Sequence, residues 1–366
     1  MKLAVAKESV AGENRVALVP DVIPALSKLG IQVLVQKGAG DGAFHADAEY
    51  EKAGALVSDK AVSEGDIVVK VQKPTGAEVI GLREGAVLIS FLHAASNKEL
   101  VAQLAGRKIT AFGMEAIPRI SRAQKMDALS SQASIAGYKA VLLAAASLGK
   151  YFPMLMTAAG TITPSKVLVL GAGVAGLQAI ATARRLGAVV WGYDVRAVVK
   201  EQVESLGAKF LEFDIGVTDA EGKGGYAKEL TPEQKQKQQE LLGEKTREFD
   251  VVITTALIPG RPAPRLITKE TVAGMKPGSV IVDLAAETGG NCELTEPGKD
   301  VVKHGVTIIG HTNVPSTMPV HASQLYARNM LELLKLLVKD GKLNLDFNDE
   351  IIKEACVTHE GKVLKS

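Results

Sequence analysis

Aromatic side chains are scarce in this chain, at 4% of residues, so any core has to be assembled from Val, Leu, Ile and Ala. Cysteine is nearly absent. Cys292 and Cys356 are the two present and lie far apart, which excludes a disulfide scaffold and suits a reducing cytoplasm. Charge of one sign is not in excess either. The net charge is +2 with acidic and basic residues interspersed, where a nucleic-acid binder shows a basic patch or stripe. No apolar run reaches the roughly eighteen residues of a membrane span. The longest candidate, "AVLLAAASLGKYFPMLMTAAG", is interrupted by Lys150 and Pro153. The opening "MKLAVAKESV" is too short in its apolar part for a signal-peptide core and is broken by Lys7 and Glu8.

What is present alternates. In the first third, "KLAVAKE", "QVLVQK", "DIVVKVQ", "AVLISFL" and "ITAFGME" read as strands, separated by the helical patterns "DVIPALSKLG", "AEYEKAGA" and "NKELVAQLAG". Near-continuous Val/Leu/Ile runs between helices indicate a parallel sheet covered on both faces. A second block supplies "KVLVL", "VVWGYD", "AKFLEF", "DVVITTA", "SVIVDLA" and "VTIIGH". One long helical pattern, about 122 to 150, joins the blocks. Beyond the second block, "MPVHASQLYARNMLELLKLLVKDGK" repeats Leu and Met at helical spacing, and such a helix returns to the first domain. The expected fold is α/β, with two Rossmann-like, doubly wound parallel-sheet domains. The first is discontinuous, 1–130 plus 315–366, and the second covers 131–314. The Lys/Gln-rich "TPEQKQKQQELLGEKTREFD" reads as a solvated helix or loop.

The second block opens with "KVLVLGAGVAGLQAIATARRLGAVVWGYDVR", holding Gly171, Gly173 and Gly176 in G-x-G-x-x-G spacing. The motif follows an apolar strand, opens a helix, and is followed 18 residues after Gly176 by Asp194 at the end of the next strand. Gly171 permits a tight turn, Gly173 lets backbone approach a pyrophosphate, and Gly176 lets helix and strand pack closely. The helix N-terminus offers unpaired N–H groups to phosphates. Asp194 is placed to accept from an adenosine ribose, which favours NAD(H), whereas Arg196 nearby is able to accept a 2′-phosphate. A glycine-rich turn also occurs in α/β domains that bind nothing; here strand, helix and acidic residue all accompany it.

The densest polar chemistry lies elsewhere, in "RISRAQKMDALSSQASIAGYKAV", residues 119–141. Arg119, Gln124, Asp127, Ser130, Ser131 and Gln132 fall close together without a His or Cys. On one helix Gln124, Asp127 and Ser131 share a face, Ser130 lies three beyond Asp127, and Arg119 sits on the entering loop within reach of Asp127. The alternative is an ordinary helix start capped by Ser121, its polar residues turned to solvent.

"ENRVALVP", "VVKVQKP", "FLHAA", the GAGVAG turn and "VIVDLAAETGGN" together span most of the chain, which resembles the alanine dehydrogenase and transhydrogenase α-subunit superfamily. In the dehydrogenase branch a lysine does chemistry where this chain has Gln72, and an aspartate stands where it has Glu287. His93 in "FLHAA" matches that branch's histidine, but without the lysine it reads as packing or capping near the end of "AVLISFL". The run 118–141 is similar to the signature of the NAD(H)-binding component of proton-translocating transhydrogenase. That resemblance implies that Arg119, Gln124, Asp127 and Ser130 surround the nicotinamide. It places Val174, Asp194, Val195 and Arg196 along the adenosine side, Leu257 in the lining, and Gly225 and Tyr226 on a loop that closes over the nucleotide. Hydride exchange between two nicotinamide rings moves no substrate proton at either ring, so a site for it needs orienting groups rather than an acid and a base. The implied partners are a second copy of this chain and a membrane-spanning subunit carrying an NADP(H)-binding domain, with this chain peripheral on the cytoplasmic side. An alanine dehydrogenase-like activity and a catalytically silent NAD sensor are the competing readings.

Overall fold

The computed structural model describes residues 1–214, 216, 230–258 and 261–365. The chain divides into two compact units, Met1–Gln132 with Pro315–Ser366, and Ala133–Val314.

In the first unit the sheet order is Lys362–Val363, Cys356–His359, Thr110–Gly113, Val87–Ser90, Ile67–Val69, Lys2–Val5, Gln32–Val35, Leu56–Val57. The six N-terminal strands are parallel. The C-terminal hairpin adds antiparallel to Thr110–Gly113 through a bulge. Alternation along each strand sorts the core into two layers. Leu3, Val5, Val33, Ile67, Ile89 and Phe112 meet the long helix Pro319–Leu337 on one face. Ala4, Leu34, Val68, Leu88 and Ala111 face the other layer, with Val79, Val101 and Leu104. The chain starts at Lys2–Val5, winds outward to Leu56–Val57, and restarts at Ile67–Val69, so a topological switch point separates those two central strands.

The second unit repeats the plan. Its order is Lys209–Phe210, Val189–Tyr193, Lys166–Leu170, Val251–Thr254, Val280–Asp283, Val306–Ile309, Asp300–Lys303, parallel except for the last strand. Val167, Val169, Val251 and Ile253 pack on the 128–147 and 174–185 helices, and Leu168, Leu170, Val252 and Ile281 on the opposite layer. Here the switch point lies between Lys166–Leu170 and Val251–Thr254. The doubly wound α/β expectation is thus met in both units.

Two expectations change. The helix expected over 122–150 is split. Ser121–Met126 is a 3₁₀ helix, Asp127 breaks it with ψ 85°, and the α-helix runs Ala128–Ser147. The cause is local, because Asp is a strong N-cap former and its carboxylate takes the first free amide of the α-helix. The Lys/Gln-rich stretch forms the helix Pro232–Thr246, capped by Thr231. One side of it is buried rather than solvated: Leu242 joins the core and Gln238 Nε2 donates to Tyr193 Oη at 2.9 Å.

Candidate functional site

At the second unit's switch point, Leu170 and Thr254 pair level in the sheet, so the segments that follow them, Gly171–Gly176 and Thr255–Leu257, leave it side by side. Thr255 Oγ1 donates to Gly171 O at 3.1 Å, tying the two together. Gly171 lies at φ 99°, in the region that favours glycine, and a Cβ there would stand 2.6 Å from Thr255 Oγ1. A Cβ on Gly176 would stand 1.8 Å from Gly171 O, so helix and turn are in backbone contact. Gly173 is the opposite case: a Cβ there would meet nothing within 4 Å. The turn is therefore closed at Gly171 and Gly176 and open at Gly173, the arrangement a pyrophosphate requires. The first intrahelical amide bond of Val174–Arg185 is Leu177 N to Gly173 O at 2.8 Å, which leaves the amides of the first turn outside the helix ladder.

Asp194 ends the neighbouring strand, its side chain 7% exposed. Oδ2 accepts from Ala172 N at 2.8 Å, fastening the glycine turn, and from Arg196 Nη2 at 2.7 Å. Oδ1 accepts from Arg196 N at 3.0 Å and Nε at 2.9 Å. These four bonds fill the capacity of a carboxylate. A ribose hydroxyl therefore has to displace part of the Arg196 fork, a coupling between the two residues that spacing does not reveal. Val174 and Leu257, 42% and 46% exposed, are apolar side chains left uncovered on the two segments that flank the switch point. Val195 is half-buried and packs on the core behind the strand ends.

Two residues behind this crevice escaped the sequence reading. Asn291 is fully buried and grips the Leu257 segment. Its Oδ1 accepts from Ala256 N at 3.0 Å, and its Nδ2 donates to Ala256 O at 2.9 Å and Pro264 O at 2.8 Å. Asp283, 1% exposed, accepts from Thr254 Oγ1, Ala285 N, Cys292 N and Thr295 Oγ1. Both lie in "VIVDLAAETGGN", and buried polar residues in such a run are the available signal. Gly137 was missed as well: a Cβ there would lie 2.0 Å from Ala175 O, so the 128–147 helix abuts the backbone of the nucleotide-binding helix.

In the first unit, Asp127 caps the long helix. Its Oδ1 accepts from Ser130 N at 2.9 Å and its Oδ2 from Ser130 Oγ at 2.6 Å. The split helix means that Gln124 and Ser131 do not lie on one continuous helical face with Asp127. Gln124 and Arg119 are exposed, the latter on the loop before Ser121, while Ser130 and Asp127 are half-buried. Ser121 is not the cap of the α-helix; it opens the 3₁₀ turn. Gln132 turns inward, 6% exposed, with Oε1 accepting from Arg15 Nη1 at 2.8 Å. Gly225 and Tyr226 lie outside the described residues.

The dehydrogenase-branch positions are also settled in place. Gln72 Nε2 donates to Glu13 Oε2 at 2.8 Å, and Arg15 forks the same carboxylate. Glu287 is exposed and accepts from Asn313 N. His93 neither caps nor enters the core. It is exposed in the left-handed region at φ 48°, its ring parallel to Phe91 at 5.9 Å.

Among the described residues no helix is long and apolar enough to cross a membrane, and no cluster of His, Cys, Asp or Glu has metal-site geometry.

Comparison with known proteins agrees along the whole chain. Residues 4–136 match the model of the alanine dehydrogenase/PNT N-terminal domain and 140–366 that of the C-terminal domain. A Rhodospirillum rubrum protein, the first of the separate pieces of its NAD(P) transhydrogenase subunit alpha, is 53% identical, covering 100% of this chain and 98% of its own. The NAD(P) transhydrogenase subunit alpha of Haemophilus influenzae is 48% identical over 99% of this chain and 71% of its own length. A transhydrogenase structure from Sinorhizobium meliloti superposes with a TM-score of 0.88 at 46% identity, covering 100% and 99% of the two chains. An L-alanine dehydrogenase structure gives 0.84 at 27%, covering 100% and 97%. With both domain models matched and the glycine turn, the capped polar helix and Gln72 in their places, the chain belongs to the alanine dehydrogenase/PNT family, on the side of the transhydrogenase α subunits.

Proposed function

We propose that this chain is the NAD(H)-binding component of a proton-translocating transhydrogenase, exchanging hydride between NADH and NADP⁺ held on a partner subunit. The observation that carries the reading is the switch-point cradle. It is closed at Gly171 and Gly176 and open at Gly173, in a chain matched along its whole length by transhydrogenase α subunits. Bound NADH supplies the hydride from its dihydropyridine ring. The chain's own role is to hold and orient. First-turn amides after Gly173 take the pyrophosphate, Asp194 and Arg196 with Val195 take the ribose side, and Val174 and Leu257 cover apolar ring surface. Gly225 and Tyr226 belong to the closing loop in this reading. Arg119, Gln124, Asp127 and Ser130 offer amide, hydroxyl and charged groups that fix a carboxamide-bearing ring without exchanging its protons. The active form is a homodimer seated on a membrane-spanning partner that carries the NADP(H) domain and conducts protons. The test is reconstitution with membranes containing such a partner, following transfer from NADH to an NADP⁺ analogue. Absence of transfer with both nucleotides bound refutes the reading.

NADH should bind the isolated chain more tightly than NADPH, by at least about ten-fold. A ribose hydroxyl needs only one position in the Asp194–Arg196 fork. A 2′-phosphate must draw Arg196 away and leave a nearly buried carboxylate facing a dianion. Equilibrium dialysis checks this, and Asp194→Ala should erase the preference by freeing Arg196 for the phosphate. Equal affinities in the unaltered chain would sink the idea.

A further inference from the structure

The first unit has its own switch point, and the residues leaving it carry a buried polar chain that the nucleotide site does not use. Glu8 follows Lys2–Val5, and Lys70 to Gln72 follow Ile67–Val69. Glu8, its side chain 3% exposed, accepts from Val71 N at 2.6 Å and Gln72 N at 3.4 Å, so it tethers the segment that carries Gln72. From Gln72 Nε2 the path runs 2.8 Å to Glu13 Oε2, whose carboxylate is 0% exposed. Arg15 forks Glu13 through Nε at 2.8 Å and Nη2 at 2.6 Å, and its Nη1 donates to Gln132 Oε1 at 2.8 Å. Gln132 Nε2 then donates to Ala322 O at 3.0 Å. Gln132 stands two residues beyond Ser130 in the helix capped by Asp127.

We propose that Glu8 is a proton-responsive positioning residue for hydride transfer, acting through Gln72, Glu13, Arg15 and Gln132 on the helix start that carries Asp127 and Ser130. The proposal rests on the transhydrogenase reading for its effect on rate, but not for its effect on structure. Solvent reaches Glu8 through a cavity of ≈ 400 Å³ whose lining includes Lys7, Glu8, Ser9, Gln36, Lys70 and Glu78. The groups facing Glu8 come from four places. Glu13 and Arg15 lie on its own segment, and Lys70 Nζ approaches at 3.8 Å. Glu78, on the helix Gly76–Gly81, holds the same Lys70 at 2.5 Å, and Tyr326 of the C-terminal helix donates to Lys70 O at 2.9 Å. Burial lifts the Glu8 carboxyl to about 7, against the pull of Lys70 and the two backbone amides. The ionised form grips those amides. The protonated form has lost the charge that strengthens both bonds, and Lys70 keeps Glu78 as its partner. Every step between Gln72 and Gln132 is buried and bonded to its neighbour, so slack at one end is passed to the other instead of being taken up by water.

The test compares the full chain with Glu8→Gln, which keeps the size and cannot titrate. In the reconstituted system the ratio of hydride-transfer rates, unaltered over variant, should rise from near one at about pH 6 to roughly ten-fold at about pH 8, through a midpoint near 7. Taking the ratio cancels any pH dependence of the partner. The second readout needs no activity. The side-chain amide NMR signals of Gln72 and Gln132 should titrate with that midpoint in the unaltered chain and stay flat in Glu8→Gln. Gln72→Met cuts the path below Glu8, so the Gln132 signal should stop titrating and the rate ratio should flatten. It also serves if Glu8→Gln fails to fold. A pH-independent ratio, or a Gln132 amide that does not titrate in the unaltered chain, overturns the proposal. Titrating amides with no hydride transfer at any pH would support the coupling and refute the transhydrogenase reading instead.

Discussion

Replacing Asp127 by alanine should slow hydride transfer by about a hundred-fold while NADH affinity stays within about three-fold, because a misplacement of about 1 Å at a positioned reacting centre costs that much in rate. Asp127 does two things at once. It caps the helix Ala128–Ser147 through Ser130 N, and it orders the Ser130 hydroxyl at 2.6 Å. The cap alone is worth about 1 kcal/mol of helix stability, which frays the first turn without unfolding a unit of this size. Affinity persists because the anchors for the adenosine half, Gly171 to Gly176 and Asp194, belong to the Ala133–Val314 unit and are untouched. Asp127→Asn separates the two roles. Asparagine caps as well as aspartate but carries no charge, so it should fall between the two chains, slowed by about ten-fold, the equivalent of about 1.4 kcal/mol of lost charge-assisted bonding. Arg119→Ala should behave like Asp127→Ala. Single-turnover transfer with pre-bound NADH, set beside direct binding, gives both numbers. If either alanine variant lost binding and kept the turnover of its bound fraction, the orienting role would be wrong.

What the sequence disclosed and what it hid follow one physical division. Features whose cause is local were legible. The alternating Val/Leu/Ile runs became the central parallel strands of both sheets because a strand buried on both faces has no other composition open to it. The glycine turn was legible because only glycine tolerates the φ of 99° at Gly171 and the contact at Gly176. Features made by distant partners were hidden. Nothing near Asn291 announces that it serves Ala256 and Pro264, and nothing near Gln132 announces Arg15, 117 residues away. The polar cluster shows the boundary between the two cases. Its residues were found from composition, but the face assigned to them assumed one helix. A single aspartate, by capping from Asp127, broke that helix in two. The antiparallel hairpin Cys356–His359 and Lys362–Val363 was missed for the same reason, since its pairing with Thr110–Gly113 spans most of the chain.

With pyruvate and ammonia the isolated chain should oxidise NADH about a hundred to ten thousand times more slowly than a dehydrogenase with its acid/base lysine in place, the usual cost of losing one such group. The geometry sharpens an expectation that rests on the residue's identity. Gln72 is not an idle amide awaiting a substrate. It donates to Glu13, and Glu13 is held from the other side by Arg15, whose remaining donor goes to Gln132. A carboxylate-bearing substrate entering here meets a guanidinium already satisfied by the chain's own carboxylate and an amide with no proton to give near neutral pH. The two other dehydrogenase-branch positions offer no replacement. Glu287 is exposed and engaged by the Asn313 amide, and His93 lies against Phe91 with its own amide given to Glu115. Gln72→Lys should raise the rate, since an ammonium restores a titratable donor at the right place. It should recover only about ten-fold, because Glu13 pairs with the new charge and pulls it from any carbonyl. Absorbance of NADH with both substrates present measures the unaltered chain and the variant side by side. Brisk turnover by the unaltered chain would show that this protein carries out amino-acid chemistry without the lysine, and that hydride exchange between nucleotides is not its task.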